Sequence, residues 1–360
     1  NESKKRVKGI WFEDEYRRVY PYNSMGCNVI GFSGGDGSTG TGGIEQFYND
    51  QLTGTNGREY GYLDENANLE GVIKPAVNGR TVVSTIDVNI QNILQKYIDE
   101  WQTTVGSNVT AAIVMNPNNG EVLAMGSTRT FDLNNPRELN GYTDEELLEL
   151  GKKEAVAVYK REHGGEKITE DQVLDYYSRE DVISYGTQVA WNQIWRNFCV
   201  SDTYEPGSPS KIFTVAAGLE EGVLKGNESF ECTGFKHVAD RDIYCVKRTG
   251  HGWLNVQESL MQSCNVCLMD MAAMIGVDRF TKYQAIFGFG DKTGIDLPGE
   301  ADTSGLVYHA DNMGPTELAT SSFGQGFNCT MVQMAAAYCS VINGGSYYEP
   351  HVVKQILNEQ

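Results

Sequence analysis

Apolar positions change period several times along the chain, and each change predicts an element. Thr81-Val82-Val83-Ser84-Thr85-Ile86 is short and rich in β-branched residues, the pattern of a strand. Ile90, Ile93, Leu94 and Tyr97 then recur at helical spacing, with Asp87 placed to cap the helix they define. Apolar runs at 110–115 and 121–125 flank Asn116-Pro117-Asn118-Asn119-Gly120, which predicts a hairpin suited to the centre of a sheet packed by helices. Beyond residue 208 the pattern is mainly helical, over 212–221, 256–273, 277–287 and 331–342, the last closed by Asn343-Gly344-Gly345. A strand-like run at 351–356 then leads to the chain end, as though the fold continued past it.

The first 75 or so residues have weaker patterning. They are polar, rich in Tyr and Gly, with short strand-like pieces at 19–22 and 28–32, and read as a small module with little core of its own. Glycines gather at 34–37 and 40–43, which read as flexible loops; neither run fits a phosphate-binding G-x-x-x-x-G-K-[ST]. From about 134 to 184 the chain is highly charged, with Asp144-Glu145-Glu146 and Lys152-Lys153-Glu154, and reads as a partly helical surface insertion.

At 360 residues the chain can bury a large core, and two domains are a reasonable expectation. Its 29 Lys and Arg against 48 Asp and Glu give a net charge of −19, which argues against nucleic acid and anionic membrane surfaces as partners. No apolar run is long enough to span a bilayer, and Asn1-Glu2-Ser3-Lys4-Lys5-Arg6 leads into alternating, strand-like residues rather than a signal peptide. The eight cysteines form no His/Cys cluster with zinc spacing. Cys264 and Cys267 have bare C-x-x-C spacing without a second ligand pair, which reads as core packing. Cys232 and Cys245 flank a short polar segment, and a disulfide between them is one reading in an oxidising compartment.

The chemistry concentrates at Tyr204-Glu205-Pro206-Gly207-Ser208-Pro209-Ser210-Lys211. Ser208 and Lys211 form S-x-x-K at the head of an apolar helical stretch. With Ser208 as N-cap, Pro209 falls at the first helical position and Lys211 lies one turn along on the same face. A serine hydroxyl needs a neighbouring base to act as a nucleophile, and a buried lysine with a lowered pKa can be that base. The helix N-terminus adds a favourable field for an oxyanion. A bare S-x-x-K often marks only a capping serine and a solvated lysine. The second motif changes that: Ser263-Cys264-Asn265 is an S-x-N triplet after a helix-like segment, supplying a second hydroxyl and an amide in the order acyl-serine enzymes use.

On these residues the chain resembles the transpeptidase region of class B penicillin-binding proteins, the monofunctional peptidoglycan cross-linking enzymes of bacteria. The resemblance covers nearly the whole chain. It takes in Gly43-Ile44-Glu45, Leu52-Thr53-Gly54, the 116–125 hairpin, Trp195-Arg196-Asn197, Gln262-Ser263-Cys264-Asn265, the 292–300 segment, Phe323-Gly324-Gln325-Gly326 and Asn343-Gly344-Gly345. It implies an α+β, β-lactamase-like transpeptidase domain with helices on an antiparallel sheet over 79–360, preceded over 1–78 by part of the family's accessory pedestal. It also implies Ser208 as nucleophile, Lys211 as its base, Ser263 as proton shuttle and Asn265 as a contact to the substrate amide. The implied reaction joins stem peptides ending in D-Ala-D-Ala, β-lactams acylate the same serine, and no metal or cofactor is needed. The implied setting is the extracytoplasmic face of the cell membrane, with a membrane glycosyltransferase and the cell-wall machinery of division or cell shape as partners.

Two departures qualify the resemblance. Pro209 and Ser210 stand where Thr-Phe is more usual, which touches local packing rather than mechanism. The family's third motif, K-T-G, occurs here only as Lys292-Thr293-Gly294, about 30 residues after Ser263 and ahead of the Gly324-Gln325-Gly326 loop that it should follow. It reads as a turn. The catalytic K-T-G is then expected past Gln360, and with no anchor at the N-terminus the chain reads as an internal piece of a longer enzyme. A β-lactamase or β-lactam sensor, and a non-catalytic scaffold of the cell-wall machinery, are the competing readings.

Overall fold

Asp87 accepts hydrogen bonds from the N–H groups of Asn89 and Ile90 and starts the helix Val88–Thr104. Leu94 and Ile98 on this helix pack on Ala124 of the hairpin formed by Ala111–Met115 and Val122–Ser127. Gln91, on the same inner face, is fully buried because its amide pairs with both main-chain groups of Met125, at 3.0 and 2.9 Å. The strand Val353–Leu357 pairs antiparallel with Thr81–Ser84, with a register shift between Val353 and Gln355, and His351 bridges to Glu121 beside the hairpin. The computed structural model describes residues 18–34, 39–63 and 69–358. Its architecture is α+β, as the resemblance implies, with helices packed about antiparallel strands that pair two by two among the described residues.

One core lies beneath these strands. Val122, Met125, Val200, Ile295, Leu297, Val332 and Val352 meet there with Val29 and Ile44 from the N-terminal segment. Asp296 ties the same region with polar bonds: its buried carboxylate accepts from Tyr48 Oη at 2.8 Å, Val352 N at 2.6 Å and Val353 N at 3.0 Å. Asp296→Asn turns an amide NH2 toward donors and leaves at least one of them unmatched. The expected cost is about 1–3 kcal/mol, read as a lower midpoint in urea unfolding.

The charged stretch folds as two helices, Asp144–Glu162 and Arg179–Trp195, with a core of Leu148, Ala155, Tyr159, Val173 and Val182. They cross at Gly151 and Gly186, where an added Cβ would come within 1.9 and 1.8 Å of the partner helix's carbonyls. Several local expectations differ from what forms. Residues 19–22, expected as a strand, run into a turn. Residues 28–32 form most of the helix Cys27–Ile30, ended by Gly31 at φ 73°, and only Phe32–Ser33 is extended. Gly40–Thr41 pairs with Phe32–Ser33, and Gly43 opens the helix Gly43–Phe47, so this glycine run is ordered. The single helix expected at 256–273 is two, Val256–Met261 and Asn265–Ile275. The opening Asn1 to Arg6 and the glycine turn at 35–37 lie outside the described residues. Among the described residues, no helix is long and apolar enough to cross a membrane.

Candidate active site

Gly207, rather than Ser208, is the residue that turns the chain from the strand Thr203–Tyr204 into the helical run. Its φ of 63° is open to glycine at little cost, and Ser208 is the first residue of a 3₁₀ turn, Ser208–Ser210, that continues into the helix Lys211–Glu220. Pro209 therefore sits at the second position of the turn rather than the first. A neighbouring loop braces the turn. Gly207 N donates to Gly324 O at 2.8 Å, Gly326 N donates to the Glu205 carboxylate at 2.8 Å, and a Cβ on Gly324 would lie 2.0 Å from Gly207 O. The Phe323-Gly324-Gln325-Gly326 segment thus fixes the backbone beneath an exposed Ser208.

The break between the helices Val256–Met261 and Asn265–Ile275 places the S-x-N residues. Ser263 N donates to Leu260 O at 3.0 Å and Cys264 N to Ser259 O at 2.9 Å, the paired bonds of a Schellman ending, with Ser263 at φ 49° in the position glycine usually fills. This turn aims Ser263 and Asn265 at Lys211. Lys211 is 2% exposed, and its Nζ donates to Ser263 O at 2.7 Å, Ser263 Oγ at 2.9 Å and Asn265 Oδ1 at 2.8 Å. Ser263 Oγ in turn lies 2.9 Å from Ser208 Oγ. Burial pushes the Lys211 ammonium down to about 8, against the opposing pull of Cys245, Cys264 and Cys267. The four residues singled out by spacing therefore meet, and the path from Ser208 to Lys211 runs through Ser263. Such a chain can carry a proton from Ser208 Oγ to a neutral Lys211 with one hydroxyl between.

Lys292-Thr293-Gly294 forms no strand: Thr293 N and Oγ1 both donate to Glu300 Oε1 at 2.6 Å, and Gly294 N to Glu300 Oε2 at 3.3 Å, closing a turn. Spacing gave no sign of two other features. Asn265 Nδ2 donates to the main-chain carbonyl of Tyr244 at 3.3 Å, and a main-chain acceptor has no residue signature. Tyr244, Val246, Arg248, Phe323 and Gln325 line an open groove beside Asn265, with the Arg248 guanidinium 4.1 Å from the centre of the Tyr244 ring. The cysteines also depart from expectation. Cys232 and Cys245 are not bridged, and together with Cys264 they meet His251, a His/Cys cluster that sequence spacing had not revealed.

With the geometry in place, residues 110–360 match the family described as the penicillin binding protein transpeptidase domain. The chain belongs to that family. It is 31% identical over 98% of its length to stage V sporulation protein D of Bacillus subtilis, of which it covers 47%. It is 26% identical over 98% of its length to the peptidoglycan D,D-transpeptidase MrdA of Acinetobacter baumannii, covering 50% of that protein. The chain thus spans about half the length of these relatives. Among solved structures, penicillin binding protein 3 of Mycobacterium tuberculosis superposes with a TM-score of 0.68 at 24% identity, over 95% of this chain and 64% of that one, a likeness of fold. The family's fold is the one built here around Ser208 and Lys211.

Proposed function

We propose that this chain carries the acyl-transfer centre of a serine-type peptidoglycan D,D-transpeptidase. The observation that carries the reading is the continuous hydrogen-bonded path from Ser208 Oγ through Ser263 Oγ to a buried lysine. Family membership and relatives named as D,D-transpeptidases support the substrate class. In the first half-reaction Ser208 Oγ attacks the carbonyl of the penultimate D-Ala of a stem peptide, and its proton passes through Ser263 to Lys211. The tetrahedral intermediate then expels the terminal D-Ala, whose amine takes the proton back along the same path, leaving a Ser208 ester. In the second, an amine of a neighbouring stem attacks the ester, gives up its proton to the relay, and leaves as the cross-linked amide while Ser208 Oγ is reprotonated. In this reading Asn265 contacts the substrate amide, and its bonds to Lys211 and to the Tyr244 carbonyl support that role by fixing its side chain. Penicillins enter as acylating mimics of D-Ala-D-Ala. The reading places this reaction on the extracytoplasmic face of the cell membrane beside a glycosyltransferase.

The test uses the whole protein as the cell makes it, with a stem pentapeptide and an acceptor amine. The expected result is release of D-Ala matched by amide product, together with a penicillin adduct that outlives the assay. Rapid turnover of penicillin without amide product would identify a β-lactamase instead. Cell-wall synthesis left intact by a Ser208 variant would identify a scaffold.

A further inference from the structure

Elsewhere on this acidic surface, arginines pair with carboxylates: Arg196 with Asp202 at 2.8 Å, Arg241 with Asp240 at 3.2 Å and Arg279 with Glu221 at 3.2 Å. Arg248 differs. It is exposed in the groove beside Asn265, and its guanidinium lies over the Tyr244 ring, 4.1 Å from the ring centre. Among the described residues no carboxylate pairs with it. Asp242, the acid that also lines the groove, is engaged instead by His237 Nδ1 at 2.8 Å.

The backbone holds this cation in place. Gly250 N donates to Lys247 O at 3.0 Å, closing a turn with Arg248 at its second position, and Cys245 N donates to Gly234 O at 2.9 Å. Gly234, at φ 100°, lets the Arg248 carbonyl pack against it, since a Cβ there would lie 2.0 Å from Arg248 O. Tyr244 then connects the cation to the reacting centre. Its carbonyl accepts from Asn265 Nδ2 at 3.3 Å while its ring carries the guanidinium. A guanidinium stacked by its face keeps its in-plane N–H fork free, and that fork matches a carboxylate.

We propose that Arg248 is a specificity residue for the donor stem, taking a free carboxylate on the segment that precedes the D-Ala pair. The inference rests on the acyl-transfer reading, in which Asn265 contacts the substrate amide. A stem held there runs its preceding residues along the groove past Asn265, where Arg248 stands. Those residues can carry a carboxylate or its amide, two groups of similar size and different charge. The chain's net charge of −19 repels an added carboxylate at long range, so discrimination in its favour needs a local cation.

The test uses the whole protein and two penicillins, carbenicillin and benzylpenicillin, which differ by one carboxylate on the carbon next to the side-chain amide. Intact mass gives the acylation rate with each, and their ratio cancels any general loss of activity in a variant. The carbenicillin-to-benzylpenicillin ratio should fall by about threefold to tenfold in Arg248→Gln. Arg248→Lys, which keeps the charge without the fork, should fall between, and Arg279→Gln, a charge outside the groove, should keep the wild-type ratio. Raising salt to about 1 M should lower the wild-type ratio and leave that of Arg248→Gln unmoved. Stem pentapeptides with the carboxylate free or amidated, assayed for D-Ala release without acceptor, should show the same discrimination, mainly in KM. A ratio unchanged in Arg248→Gln overturns the proposal. So does discrimination that arises only when the acceptor's carboxylate is varied, which would give Arg248 to the acceptor stem. Acylation by neither penicillin would be the failure of the acyl-transfer reading itself, and the proposal would fall with it. Two good acylating agents with an unmoved ratio would sink the role of Arg248 alone.

Discussion

Ser208→Ala should abolish covalent labelling by a fluorescent penicillin, with an acylation rate down by about a million-fold, the scale seen when a serine nucleophile is removed. Ser208 is exposed at the start of its turn, and its hydroxyl is held from one side by Ser263 Oγ at 2.9 Å. No other hydroxyl in the cluster combines that access with that contact: Ser263 stands between Ser208 and the lysine, and Ser210 turns its Oγ to Gly207 O. Alanine at an exposed first-turn position removes no packing, so stability should stay within about 0.5 kcal/mol of the parent. Intact mass with and without the antibiotic, alongside a thermal melt, measures both. An adduct that survives in the variant would move the nucleophile to another residue and remove the basis of the mechanism.

The second large effect belongs to Lys211. A lysine acts as a base only when neutral, and burial holds this one down to about 8. The acylation rate should therefore climb with pH and level off above about 8, the plateau marking the free amine. The groups facing it are the Cys245, Cys264 and Cys267 thiols, which oppose the shift, and His251 nearby. Lys211→Met keeps an unbranched side chain and removes the base. The expected loss in acylation rate is about 10²–10⁴-fold, and the rise with pH should disappear. Loss of pH dependence is the deciding readout, since a variant that only disturbed packing would slow the reaction while keeping its profile. Ser263 O and Asn265 Oδ1 also lose a donor, so a stability loss of about 1–3 kcal/mol should accompany it.

The relay was legible because its parts are local. Ser208 and Lys211 are one helical turn apart, so spacing alone brings that pair to one side, and Ser263 and Asn265 flank a single residue. What spacing could not carry was how the pairs join. Val256, Leu260, Cys264, Leu268 and Met271 keep helical spacing straight through the S-x-N triplet, so periodicity reads one helix; the reversal rests on the backbone angle of Ser263, which composition does not encode. The same limit applies at 28–32, where the four-residue helix Cys27–Ile30 is too short to show a period and Gly31 at φ 73° ends it. The Cys/His group was invisible for a different reason. Zinc spacing rules describe ligands paired on one knuckle or one helix, whereas these four are delivered by strand pairing and by the S-x-N turn. Long-range placement also explains Asp296, whose three donors lie far from it in sequence, at residues 48, 352 and 353.

Ser263 carries a further implication for how such a centre can diverge. Chemistry asks this position for a hydroxyl, while its φ of 49° asks for glycine or asparagine. Threonine, the nearest alternative hydroxyl, is β-branched and poorly suited to that angle, and glycine suits the angle without the hydroxyl. Each one-step replacement therefore loses either the relay or the turn. Selection for altered acylation has little room at residue 263 itself, and variation in a lineage carrying this architecture is channelled to the groove residues, such as Val246, Arg248 and Gln325, whose backbone imposes no such conflict.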